Sequence, residues 1–245
     1  PVPPPDRARS PLKNRSKTKP GTLLKHQIPI RTFSEWNEGI PGFIEIDLVG
    51  HDGGNACGDY IQSLDAVDVR SGWTETVAVK NKAQVWVFHG LEEIRKRLPF
   101  PLQGIDSDNG GEFINDHLTR YCRQEKITFT RSRPYRKNDN CHVEQKNYSA
   151  VRKYVGYRRY ETEEELAIMN ELYRSLRFYL NFFHPTMKLV RKERRGSKVK
   201  KYYDRPMTPY QRLINSPTLS HHGKEGLKQI YRTLNPAELK RTITR

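Results

Sequence analysis

The chain has 245 residues, with 44 Lys and Arg against 28 Asp and Glu and a formal net charge of +16. Hydrophobic residues make up 35% and charged residues 29%, enough for one core but too polar for a membrane protein, and no apolar run nears the roughly 20 residues that span a bilayer. Cys57, Cys122 and Cys141 lie far apart without a C-x-x-C spacing, which argues against a disulfide framework or structural zinc and for a reducing, intracellular setting.

An opening at Pro1 rather than Met suggests a piece of something longer. Residues 1–22 read as a linker, rich in proline and Lys/Arg with little that is apolar. Charge is uneven along the chain. Residues 1–42 form a basic lead-in of net +5, residues 43–187 total −1, and residues 188–245 total +12. Excess positive charge on both flanks points to a polyanion, of which nucleic acid is the commonest in a cell; a soluble protein with basic tails is the plainer alternative. Residues 43–49 alternate as a strand, with Ile44, Ile46 and Leu48 on one face and Glu45 and Asp47 on the other. A glycine-rich loop follows at 51–58, in which His51, Asp52, Gly53 and Gly54 read as a tight turn rather than a metal cluster. Two more strands, 60–70 and 73–79, complete an antiparallel meander. A helix over 81–98 is stopped by Pro99 and Pro101. A strand at 102–108, a helix at 111–124, a strand at 127–130 and a helix at about 139–157 come next. Thr162 caps a further helix, with Glu165 completing a capping box and Leu166, Met169, Tyr173, Leu176, Leu180 and Phe183 forming its apolar stripe.

The order βββαβαβαα predicts an α/β fold with a mixed sheet between helices. Residues 188–205 read as an extended basic connector, and residues 206–245 as a small helical segment with signals at 210–214 and 226–234.

The candidate chemistry lies in carboxylates at the sheet's edge. Asp47 sits inside an otherwise apolar strand, where an acid is costly unless paired or bound to metal. Asp108 ends a strand that runs into Asn109-Gly110, at the carboxyl edge where α/β sites form, although Asn-Gly is also a plain turn signal. Glu144 occupies the margin of its helix, with Val143, Val151, Tyr154 and Val155 on the buried face. Each acid alone has an ordinary surface reading. Three acids from separate elements meeting at one corner would repel one another unless divalent cations neutralise them, and oxygen-only ligands favour Mg²⁺ or Mn²⁺.

An acid in the first strand, the segment Ser107-Asp108-Asn109-Gly110-Gly111-Glu112-Phe113, and 35 residues between Asp108 and Glu144 together resemble the D,D-35-E integrase core of the ribonuclease H-like superfamily. The stretch from Arg133 to Asn147 looks more like bacterial insertion-sequence transposases than retroviral integrases. The resemblance covers about residues 43–185, and it is specific because spacing, local sequence and element order agree. It implies an integrase-like catalytic core over 43–187, with Asp47 bridging two Mg²⁺ or Mn²⁺ ions and Asp108 and Glu144 holding one each. Asp106 shares the parity of Asp108 but is offset by two from the pattern. The implied reaction is phosphodiester hydrolysis at a transposon end, then joining of the 3′-hydroxyl to target DNA. A nuclease without joining activity, or a silent DNA-binding descendant, would be the alternatives. The resemblance also implies a homo-oligomer on DNA, a bacterial cytoplasmic, nucleoid-associated setting, and an end-recognising domain ahead of the core that this sequence lacks.

Arg131, Arg133, Arg136 and Lys137 precede the helix of Glu144, while Tyr148, Arg152 and Arg159 continue along its side. These are candidate phosphate contacts, with a solvated basic face as the alternative. Arg191, Lys192, Arg194, Arg195, Lys198, Lys200 and Lys201 are the candidates for tracking DNA backbone. His142 suits a local hydrogen-bonding role, and Cys122 and Cys141 suit packing.

Overall fold

Alternation along the first strand decides which face of the sheet is oily and which is acidic. In the computed structural model, which describes residues 21–32, 39–134 and 137–244, strand β1 (Phe43–Gly50) runs antiparallel to β2 (Gln62–Asp68) and parallel to β4 (Gly104–Ser107). Strands β3 (Thr74–Val79) and β5 (Thr128–Arg131) close a five-stranded mixed sheet in the order β3-β2-β1-β4-β5. This is the expected α/β architecture. Residues 1–20 and Arg136, which carry the linker reading and one candidate DNA contact, lie outside the described residues, as does the side chain of Lys137.

Ile44, Ile46, Leu64, Ala66, Ile105 and Phe129 share one face and pack against helices α2 (Gln84–Arg97) and α3 (Asp116–Gln124), following the short helix α1 (Gly21–Gln27) in chain order. Each buried side chain of this size contributes roughly 1.5–3 kcal/mol, so this layer is the main source of stability. The expected helix over 111–124 begins later, at Asp116, because Asn115 caps it by accepting the Leu118 N–H at 2.8 Å.

The opposite face carries Glu45, Asp47, Asp65 and Asp106. Register sets Asp47 opposite Asp65 and Glu45 beside Asp106. Over it lies the segment expected as one helix at 139–157. It is built in pieces: a 3₁₀ turn (Lys137–Asn140), helix α4 (Cys141–Lys146), a π-helical stretch (Asn147–Arg152) and the short α5 (Lys153–Val155). Gly156 ends it with φ of +76°. Helix α6 (Glu163–Phe178) packs on β3 with the predicted Thr162–Glu165 capping box in place.

The stretch read as an extended connector folds instead into a hairpin, β6 (Leu189–Arg195) and β7 (Lys198–Tyr203). Gly196, at φ +61°, supplies the left-handed residue its turn requires. Arg191 and Lys200 both lie over the Tyr202 ring, and Tyr202 donates to Glu193. These contacts, those of Arg191 and Glu193 with Tyr202 crossing between the strands, are hidden in the sequence by a charge density that masks the alternation. Beyond the hairpin come three helices, α7 (Pro209–Ile214), α8 (His221–Thr233) and α9 (Pro236–Ile243), the last unforeseen. Leu213 and Leu227 join Trp73, Phe100 and Phe182 in a second apolar cluster, and Ile243 joins the cluster on α6. No described helix is long and apolar enough to cross a membrane.

Candidate active site

Asp47 stands half-buried just past the middle of β1. Its Oδ1 accepts the Leu48 N–H at 2.8 Å, and its Oδ2 accepts the Asn147 side-chain amide at 2.7 Å. Burial, and to a lesser degree the negative charges of Asp108 and Glu144, push its carboxyl up to about 6 against the pull of those two donors. Asp47 therefore feels both other members of the expected triad, although they come from β4's end and from α4. Asp108 is half-buried just past β4, where its Oδ1 accepts the Gly110 N–H at 2.8 Å and holds the turn in shape. Glu144 is exposed on α4.

Asp108 and Glu144 are thus close enough to act on the charge of Asp47, yet as the side chains stand no group of three His, Cys, Asp or Glu among the described residues is poised to hold a metal. The donor chemistry nonetheless fits a hard divalent cation: oxygen donors only, on acids whose charges repel one another and add to the burial that lifts the Asp47 carboxyl. Sequence reasoning missed Asn147. Three residues after Glu144, it lies one helical turn along the same face, and that spacing was the available signal.

Beneath the corner lies a sealed layer of acids. Glu45 and Asp106 are fully buried, and one oxygen of each (Oε1 and Oδ2) finds no hydrogen-bond partner among the described residues. Burial raises both carboxyls, Asp106 to about 7 despite its hydrogen bond from Thr130. Asp65, also fully buried, accepts from Thr76 Oγ1 at 2.7 Å and is pushed to about 7, while burial lowers the ammonium of nearby Lys146. The His142 ring lies 3.9 Å from Glu45 and is lowered to about 4, chiefly by burial and then by Lys188. The turn at 51–54 is tight, as expected: Asp52 accepts the Gly54 N–H, and buried His51 hydrogen-bonds Ser63. Cys122 is packed in the core and half-buried Cys141 is raised to about 12 by burial, so neither stands as a thiolate.

The candidate phosphate contacts divide sharply. Arg131 departs from that expectation. It is buried, and its guanidinium binds the carbonyls of Lys25 and Ile28 and the Asn109 side chain, tying α1 to the Asp108 loop. Arg152 donates to the Gly50 and Gly156 carbonyls, and Arg159 donates to the carbonyls of Asn55, Cys57 and Asp59 and to Glu161. Both hold loops beside the site. Arg133 forks onto buried Asp139 at 2.6 and 2.9 Å. Tyr148 is exposed, as are all seven cations of the β6–β7 hairpin.

Residues 39–137 match the integrase core domain family. That span includes Asp47 and Asp108 and ends before Glu144. A curated relative, the uncharacterized protein y4rM of Sinorhizobium fredii, is 41% identical over 191 residues, covering 78% of this chain and 55% of the relative. The chain thus spans about half the length of that relative. Among solved structures, a chain of the simian T-cell lymphotropic virus intasome in complex with PP2A regulatory subunit B56 gamma superposes with a TM-score of 0.50 at 17% identity, over 78% of this chain and 59% of that one. The catalytic core domain of BIV integrase superposes at 0.44 with 20% identity, over 69% and 91%. The HTLV-2 integrase catalytic core domain in complex with magnesium does so at 0.45 with 14% identity, over 60% and 91%.

Proposed function

We propose that this chain, whose residues 39–137 match the integrase core domain family, is a metal-dependent DNA strand transferase of the integrase-core superfamily: the catalytic region of a transposase of the bacterial insertion-sequence kind. The observation that carries this reading is the electrostatic convergence on Asp47. Its carboxyl is raised mainly by burial, and to a lesser degree by Asp108 and Glu144, two acids that β4 and α4 bring within reach of it from 61 and 97 residues away. Asp47, Asp108 and Glu144 would hold two Mg²⁺ or Mn²⁺ ions. Held there, the ions would supply activation of a water or a DNA 3′-hydroxyl for attack on a phosphodiester and stabilisation of the leaving oxygen. The chain's own contribution is placement. Asn147 and the Leu48 N–H fix both oxygens of Asp47, and the Gly110 N–H fixes the Asp108 carboxylate. No Ser, Tyr or Cys nucleophile is required, since the attacking oxygen comes from water or from DNA. The exposed cations of the β6–β7 hairpin, with Tyr148, would bind the phosphate backbone. Two DNA ends handled together call for a homo-oligomer.

The test uses a branched oligonucleotide that mimics the joined product, with Mn²⁺ or Mg²⁺, and compares wild type with Glu144→Gln. Metal-dependent resealing that the variant loses supports the reading. Cutting without resealing would make the chain a nuclease instead. Salt-sensitive binding with neither reaction would leave a silent DNA-binding protein.

A further inference from the structure

Helix α4 starts without a cap of its own. Asn140 occupies the capping position but makes no side-chain hydrogen bond to the helix. The second and third helical N–H groups, those of His142 and Val143, donate instead to Glu45 Oε2 at 2.8 and 2.9 Å. These are the groups that a capping side chain ordinarily serves, and a carboxylate is also the favoured charge at a helix N-terminus. Here the cap comes from a neighbouring strand, nearly a hundred residues earlier. Glu45 is fully buried, as is Val143. It stands two residues before Asp47 on the same face of β1, while Glu144 follows Val143 directly. A rigid strand and two hydrogen bonds therefore connect the first acid of the site to the third.

We propose that Glu45 is a positioning residue: from β1 it anchors the first turn of α4 and thereby sets where Glu144 stands relative to Asp47. The inference rests on the active-site reading given above and adds to it a residue outside the D,D-35-E pattern. Reach matters here more than charge. Glu45→Gln keeps a carbonyl oxygen at the same distance, whereas Glu45→Asp keeps the charge but withdraws it by one methylene.

The experiment measures two things on both variants: amide hydrogen exchange at His142 and Val143, and the Mn²⁺ concentration giving half-maximal resealing of the branched oligonucleotide. Urea unfolding checks that each variant is folded. Glu45→Gln is expected to stay within about threefold of wild type on both readouts. Glu45→Asp is expected to lose about tenfold or more of the exchange protection and to raise the Mn²⁺ midpoint about tenfold, the scale of a lost hydrogen bond. A Mn²⁺ midpoint unchanged in Glu45→Asp, with protection lost, would reduce Glu45 to a stabilising cap and overturn the proposal. Glu45→Gln failing as badly as Glu45→Asp would overturn it as well, because charge rather than reach would then be responsible. A wild type that never reseals would refute the functional reading instead. In that case exchange still decides the cap: protection unchanged in Glu45→Asp would overturn it.

Discussion

The acid sealed under α4 makes a quantitative prediction about stability. Asp65 has an ordinary carboxyl value of 3.8 and is pushed to about 7 in the fold, mainly by burial, with Asp47 adding to the rise and Thr76 and Lys146 opposing it. A raised carboxyl means that the folded state holds its proton more tightly than the unfolded chain does. Its contribution to stability is whole below about pH 4 and drains away as pH climbs through 7. A rise of that size corresponds to about 4 kcal/mol across the window. Asp65→Asn removes the titration while keeping an oxygen that accepts from Thr76 Oγ1, now 2.7 Å away. The variant is therefore expected to match wild type within about 1 kcal/mol near pH 4 and to exceed it by up to about 4 kcal/mol at pH 8. Lys146, deprived of an attractive partner, trims that gain. Asp47 and Asp106 titrate in both proteins and largely cancel in the difference. The assay is urea unfolding at intervals from pH 4 to 8, with a chelator present so that no metal masks the acids. Parallel stability curves for the two proteins would refute the argument, because they would mean that Asp65 is solvated or paired well enough to ionise at its ordinary value.

Two further outcomes follow from the site and its surroundings. Asp47 is raised to about 6, and a protonated carboxyl does not ligate, so Mn²⁺ affinity measured by calorimetry is expected to climb with pH up to about 6 and level off above it; affinity independent of pH between 5 and 7 would remove Asp47 from the metal's ligands. Replacing Arg194, Lys198 and Lys201 with Ala is expected to flatten the salt dependence of DNA affinity, by roughly 0.9 of slope for each lost phosphate contact, while Arg131→Ala lowers thermal stability and leaves the slope alone. A slope unmoved by the hairpin variant would place the DNA elsewhere.

Most elements of the sheet and its helices, and the candidacy of two of the three acids, could be read locally. Alternation around Asp47 and the Asp-Asn-Gly turn after Ile105 each carry their signal within a few residues. So does Thr162 with Glu165, which forms the expected cap. Glu144 needed the 35-residue spacing, since an acid at a helix margin is common. What stayed hidden depends on contacts between distant segments. Nothing near Arg131 in the chain shows that its guanidinium will be taken up by carbonyls about a hundred residues earlier. Arg152 and Arg159 likewise look like phosphate ligands until the loops they hold are seen. The hairpin was obscured for a different reason. Its strands place Lys and Arg on both faces, so hydrophobic periodicity vanishes, and only the Arg191–Tyr202 stacking and the Gly196 turn reveal a ribbon.

The acidic face of the sheet then makes sense as a graded series rather than a cluster. Glu45, Asp65 and Asp106 lie fully sealed and are all raised, two of them to about 7, so near neutral pH a substantial share of that layer is protonated. Asp47, half-exposed and raised only to about 6, is largely ionised at the same pH. Burial decides the difference, since it disfavours the charged form most where water is least able to reach. Negative charge is therefore concentrated at the rim, where Asp108 and Glu144 add to it, and is muted in the layer beneath. A corner arranged this way attracts a cation to the exposed acids without requiring four or five full charges to be held together in the folded chain. The sealed carboxyls remain available for hydrogen bonding, and Glu45 uses that capacity to hold the start of α4.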